Sequence, residues 1–116
     1  MLTKEIEKSK SHILIEIIEY VPNSIVSKTI IRKTTGNISV VAVDTGEAMT
    51  EKSTPFDTYI QVIEGKADVV IDEKSNQLQT GEGIVIPAHV LHAIKADGRF
   101  KIVSTVIKSG YNEIMV

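Results

Sequence analysis

GEGIVIPAHVLHAIKA, residues 81–96, is written as two short strands around a turn. A glycine turn opens it, Ile84, Val85 and Ile86 form an apolar run, and Pro87 ends that run because proline lacks the N–H a ladder needs. After a second turn comes a further run carrying His92, so the whole stretch predicts a tight antiparallel corner. His92 shares strand parity with Val90 and Ile94, which places the three on one face and points the imidazole into the interior.

Outward from this corner the text is β in both directions. Upstream, runs at 25–32 and 38–43 flank Thr34-Thr35-Gly36-Asn37, and a short strand near 49–51 follows the turn Thr45-Gly46. Runs at 58–64 and 67–72 flank Gly65-Lys66, which reads as a hairpin with glycine at positive φ. Residues 77–80 and a last long strand at 100–108 complete about nine strands, the pattern of a sandwich or barrel. Only residues 4–20 read as helix. Ile13, Leu14, Ile17, Ile18 and Val21 recur with a helical period, Glu16 and Glu19 fall opposite, and Pro22 closes the pattern. The expected organisation is a helical segment at 1–22 packing on one β-barrel domain at 23–116.

A chain of 116 residues with 13 basic and 15 acidic side chains suits one globular domain, since roughly two-thirds of its surface is buried on folding. A net charge of −2 without a clustered basic face excludes a nucleic-acid partner. No apolar run approaches the roughly 18 residues of a membrane span, and the charged beginning MLTKEIEKSK is unlike a secretory signal. Together with the absence of cysteine, this gives the expectation of a cytoplasmic protein with no membrane partner.

The spacing of Gly81, Pro87 and His92 resembles the second motif of the cupin superfamily, with His89 where that motif has its second glycine and Ala96 where it has Asn. Residues 46–65, GEAMTEKSTPFDTYIQVIEG, keep the frame of the first motif from Gly46 to Gly65. At that motif's metal-ligand positions, however, stand Lys52, Thr54 and Thr58. Fifteen residues separate the two motifs, as in compact single-domain bacterial cupins. The resemblance implies an all-β double-stranded β-helix, a jelly-roll barrel, with a short N-terminal helix. It also implies a homodimer, as does the Ile-rich surface before and within the first strand.

On this resemblance the cavity is lined by Lys52, Thr54, Thr58, Ile60 and His92. Four polar points in an apolar barrel suit a small organic, acidic ligand, with no cofactor. An enzyme remains the alternative: a metal-dependent dioxygenase, isomerase or decarboxylase with altered ligands, or a metal-free isomerase using His92 as general base. A lone imidazole beside an ammonium does not make a metal site, and the one fallback set is His92 with Asp57 and His89.

Overall fold

A computed structural model describes residues 5–111, and in them the chain forms nine strands. These are β1 (Ile25–Lys33), β2 (Gly36–Val43), β3 (Ala48–Lys52), β4 (Asp57–Glu64), β5 (Lys66–Ile71), β6 (Lys74–Gln79), β7 (Gly83–Ile86), β8 (His92–Lys95) and β9 (Phe100–Ile107). They make a five-stranded sheet, β1-β2-β9-β4-β7, facing a four-stranded one, β3-β8-β5-β6, with every pairing antiparallel. This is the two-sheet jelly roll that the resemblance implies. Alternation drives it: along β4, Thr58, Ile60 and Val62 are buried while Asp57 and Tyr59 are exposed, so one face of the strand turns to the opposite sheet. Val41, Val62, Val69, Ile86, Ile94, Phe100 and Ile102 meet there as the main core.

The predicted N-terminal helix does not form. Among the described residues only Leu14–Glu16 closes a 3-10 turn, and Ile13 in front of it offers no side-chain cap; Lys4, where the prediction began, lies outside the described residues. β-Branched isoleucine is a poor helix former, and a helix this short needs tertiary help. The sheet supplies that help to an irregular arm of turns and bends instead. Ile17, Ile18 and Tyr20 lie on the outer face of the five-stranded sheet against Val40 and Ala42. Lys101 Nζ donates to the Ile15 carbonyl at 2.5 Å, satisfying an oxygen that a helix would have satisfied internally.

Gly65 is a second correction. Its φ of +83° is as expected, yet β4 and β5 do not pair, so it turns a corner between the sheets and not a hairpin. A Cβ there would lie 2.7 Å from the Arg99 carbonyl oxygen, which closes the site to other residues. Similarly, β7 and β8 of the opening stretch belong to different sheets, and Pro87 to Leu91 carry the chain across. Tight hairpins lie elsewhere, at Thr34 and Thr35 between β1 and β2 and at Asp72 and Glu73, with φ of 50° and 69°, between β5 and β6.

Candidate functional site

Between the sheets, at the end bordered by residues 53–56, opens a cavity of about 380 Å³. One wall comes from inward positions of the five-stranded sheet. There the register sets Asn37, Val106 and Thr58 in one row and Ser104 beside Ile60 in the next. On the other wall β3 and β8 place Lys52 directly opposite His92 and Met49 opposite Ile94. Lys52, Thr54, Thr58, Ile60 and His92, the five residues singled out from the sequence, all line this cavity. So do Asn37, Phe56, Ser104 and Lys108, which no motif marked. Parity was the available signal: Ser104 and Lys108 share the parity of buried Ile102 and of Val106 in β9 and just beyond it.

His92 is 6% exposed and its Nδ1 lies 3.2 Å from the carbonyl oxygen of Val90. A carbonyl can only accept, so Nδ1 carries the proton and, in the neutral ring, Nε2 is left as an acceptor. No buried side-chain nitrogen or oxygen among the described residues lacks a partner, so Nε2, which has none from the protein there, keeps its access to the cavity. Thr54 is different. Its hydroxyl donates to the Phe56 carbonyl at 3.0 Å and accepts the Phe56 N–H at 3.3 Å, a local turn that engages the oxygen in its own loop.

That loop is held firmly. The His89 N–H donates to the Thr54 carbonyl at 2.6 Å, the Asp57 carboxylate accepts the Ala88 N–H at 2.8 Å, and the Tyr111 hydroxyl accepts the Asp57 N–H at 2.6 Å. Tyr111 also donates to the Ile107 carbonyl and packs its ring on Phe56, 6.0 Å between centroids. The Lys108 ammonium also stands over Phe56, 5.8 Å from its ring centre. His89 adopts φ of 68°, the left-handed conformation, at the position where the second motif has glycine.

Among the described residues no aspartate or glutamate lines the cavity, and neither Lys52 nor Lys108 has a carboxylate partner. The divalent metal that the first motif serves does not fit these donors. One imidazole, one uncommitted hydroxyl at Thr58 and an ammonium face the place where imidazoles and a carboxylate would be required. The fallback set of His92, Asp57 and His89 is not assembled either. Asp57 and His89 are exposed and outside the cavity lining, the Asp57 carboxylate is engaged by Ala88, and no three His, Cys, Asp or Glu side chains of the described residues converge.

The family model described as Cupin domain matches residues 39–106, which span both motifs and both walls. Among solved structures, a conserved protein of unknown function from Streptococcus pyogenes is 25% identical, with 96% of this chain and 97% of that one aligned at a TM-score of 0.86. A cupin superfamily protein from Desulfitobacterium hafniense is also 25% identical over 94% and 100% of the two chains, TM-score 0.84. A salicylate 1,2-dioxygenase from Pseudaminobacter salicylatoxidans shares the fold alone, at 18% identity over 75% of this chain and 27% of that one, TM-score 0.68. No curated protein matches the sequence.

Proposed function

The chain belongs to the cupin family, and from that premise we propose that its barrel cavity binds a small organic acid without a metal. The observation that carries this reading is the charge of the lining: two lysines and, among the described residues, no carboxylate, in a protein of net charge −2. Met49, Phe56, Ile60, Ile94 and Val106 supply the apolar surface for the ligand's body, and the volume is within the range of small-molecule sites. Thermal denaturation with phenylacetate and with neutral phenylacetamide tests it. The acid is expected to raise the midpoint with concentration and the amide to do so far less, because only binding to the folded state stabilises. Equal shifts, or none from a panel of organic acids, overturn the reading.

A second reading draws on the same imidazole. With Nδ1 protonated, Nε2 is placed to take a proton from a bound molecule, which is what a metal-independent isomerase needs of a general base. Exchange of a ligand's carbon-bound hydrogen into deuterated water, lost on His92→Phe, distinguishes turnover from binding.

For assembly, we propose a two-fold homodimer through the outer face of the five-stranded sheet. Ile31, Ile38, Thr105, Tyr59 and Val85 form one row across all five strands on that face, and Val85 is 57% exposed. Exposed Glu16 and Glu19 on the arm and exposed Lys28 and Lys33 on β1 give the surface complementary halves, as an isologous interface requires. Light scattering that returns 12.7 kDa, the mass of one chain, at micromolar concentration overturns it.

A further inference from the structure

Resting on the organic-acid reading above, we infer the ligand class: an apolar-bodied carboxylate that also carries a hydroxyl close to its acid group, a hydroxy acid of the mandelate type. Three placements lead there. First, Lys52 and His92 are directly opposite each other on paired strands, so their Cβ atoms stand about 5 Å apart and the cationic and imidazole groups address adjacent atoms of one ligand. Second, the Val90 carbonyl holds the Nδ1 proton, so the neutral ring offers only an acceptor to the cavity and is matched by a ligand proton donor, not by a carboxylate oxygen. Third, the opposite wall brings Thr58, Ser104 and Asn37, groups that donate as well as accept, so a hydroxyl held by His92 has a partner for its own oxygen.

The polar groups lie on two walls while Ile60, Ile94 and Val106 fill the space between. A purely polar acid would leave that surface wet, and a purely apolar acid would leave Nε2 without a donor in a site only 6% exposed at His92. A ligand with both features satisfies each group. In it the carboxylate sits at the lysines, the hydroxyl hydrogen points at His92 Nε2, and the ring or branched chain lies on the aliphatic side chains. Lys108, held over Phe56, supplies the second cation at the mouth.

Titration calorimetry with mandelate, phenylacetate and 2-phenylethanol tests the assignment, since the three share a body and differ in the two polar groups. Mandelate is expected to bind about tenfold tighter than phenylacetate, the scale of one well-made hydrogen bond to a buried acceptor. 2-Phenylethanol is expected to bind more weakly than both. His92→Phe is expected to erase the difference between the two acids, and Lys52→Met to weaken both alike. As a readout independent of any variant, the imidazole nitrogen NMR signals of the wild-type protein should report protonated Nδ1, with the Nε2 signal moving on mandelate and hardly on phenylacetate. Equal affinity of the two acids, or a proton found on Nε2, overturns the hydroxy-acid assignment and leaves organic-acid binding standing. Failure of both acids to bind overturns the two together.

Discussion

Two clusters of cations on this small barrel are treated in opposite ways. On the outer face, beneath the N-terminal arm, Lys101 is buried with its Nζ on the Ile15 carbonyl, 3.7 Å from the Glu64 carboxylate and 4.8 Å from the centre of the Tyr20 ring. Arg99 stacks over the same ring at 4.4 Å and pairs with Asp44 at 3.2 Å, while Tyr20 donates to Glu64 at 2.6 Å. Each charge there has a partner, and the cluster does structural work by pinning the arm. At the cavity mouth, Lys52 and Lys108 are exposed and border hydroxyls, an imidazole and apolar surface, with no carboxylate partner among the described residues. Partnered charges spend their electrostatic interaction within the fold, whereas under the proposed function the two lysines at the mouth direct theirs to a ligand.

The largest effect that can break this contrast is a conversion of the mouth. Lys52→His, Thr54→His and Thr58→Glu together replace a cation and two neutral hydroxyls with the family's ligand types around His92. The expected change is from no tight binding to about one nickel or zinc per chain by elemental analysis, lost again on His92→Ala. In the unmodified protein a divalent ion near the Lys52 ammonium meets a repulsion of about 8 kcal/mol at 4 Å with an effective dielectric near 20. Stoichiometric metal there would show that the mouth had been misread.

Next in size is the difference between the clusters themselves. Lys101→Met is expected to cost about 2–3 kcal/mol in urea unfolding, because the Ile15 carbonyl and Glu64 both lose their partner. Lys52→Met and Lys108→Met are expected to change stability by less than about 0.5 kcal/mol while weakening organic-acid binding about tenfold. Equal destabilisation by all three variants would erase the distinction.

Smaller still is the pH dependence of the outer cluster. Burial, then the hydrogen bond to Glu64, pushes the Tyr20 phenol above its usual value of 10.0. Its contribution is therefore complete below pH 10 and is lost as the unfolded chain ionises at higher pH. The Asn23 and Thr45 backbone N–H groups hold the Asp44 carboxyl below 3.8, so its contribution is complete above that pH and is lost as the pH falls through the folded value. Tyr20→Phe should flatten the alkaline limb of the stability profile and Asp44→Asn the acid limb. The least effect is expected from His89→Gly, a gain of under 1 kcal/mol: relief of the left-handed φ exceeds the entropy lost by glycine only slightly.

Much of the inner wall was legible from the chain alone. Strand parity determined that His92 points inward and that Thr58 and Ile60 face opposite to Tyr59, because a period of two leaves a side chain only two directions. Motif spacing grouped Lys52, Thr54, Thr58 and His92, which all line the cavity. Sequence could not show which strands pair. Gly65 looks the same in a hairpin and in a corner between sheets, since both use positive φ, and only Arg99 packed against it tells them apart. The Ile-rich arm is a similar case: its spacing suits a helix, but the outer face of the sheet and the Lys101 ammonium compete for its side chains and carbonyls and hold it in an irregular path. Asn37, Ser104 and Lys108 reach the cavity because β2, β9 and the turn after β9 close over it: parity set the inward face of Ser104 and Lys108, but long-range pairing alone decided which residues they meet there.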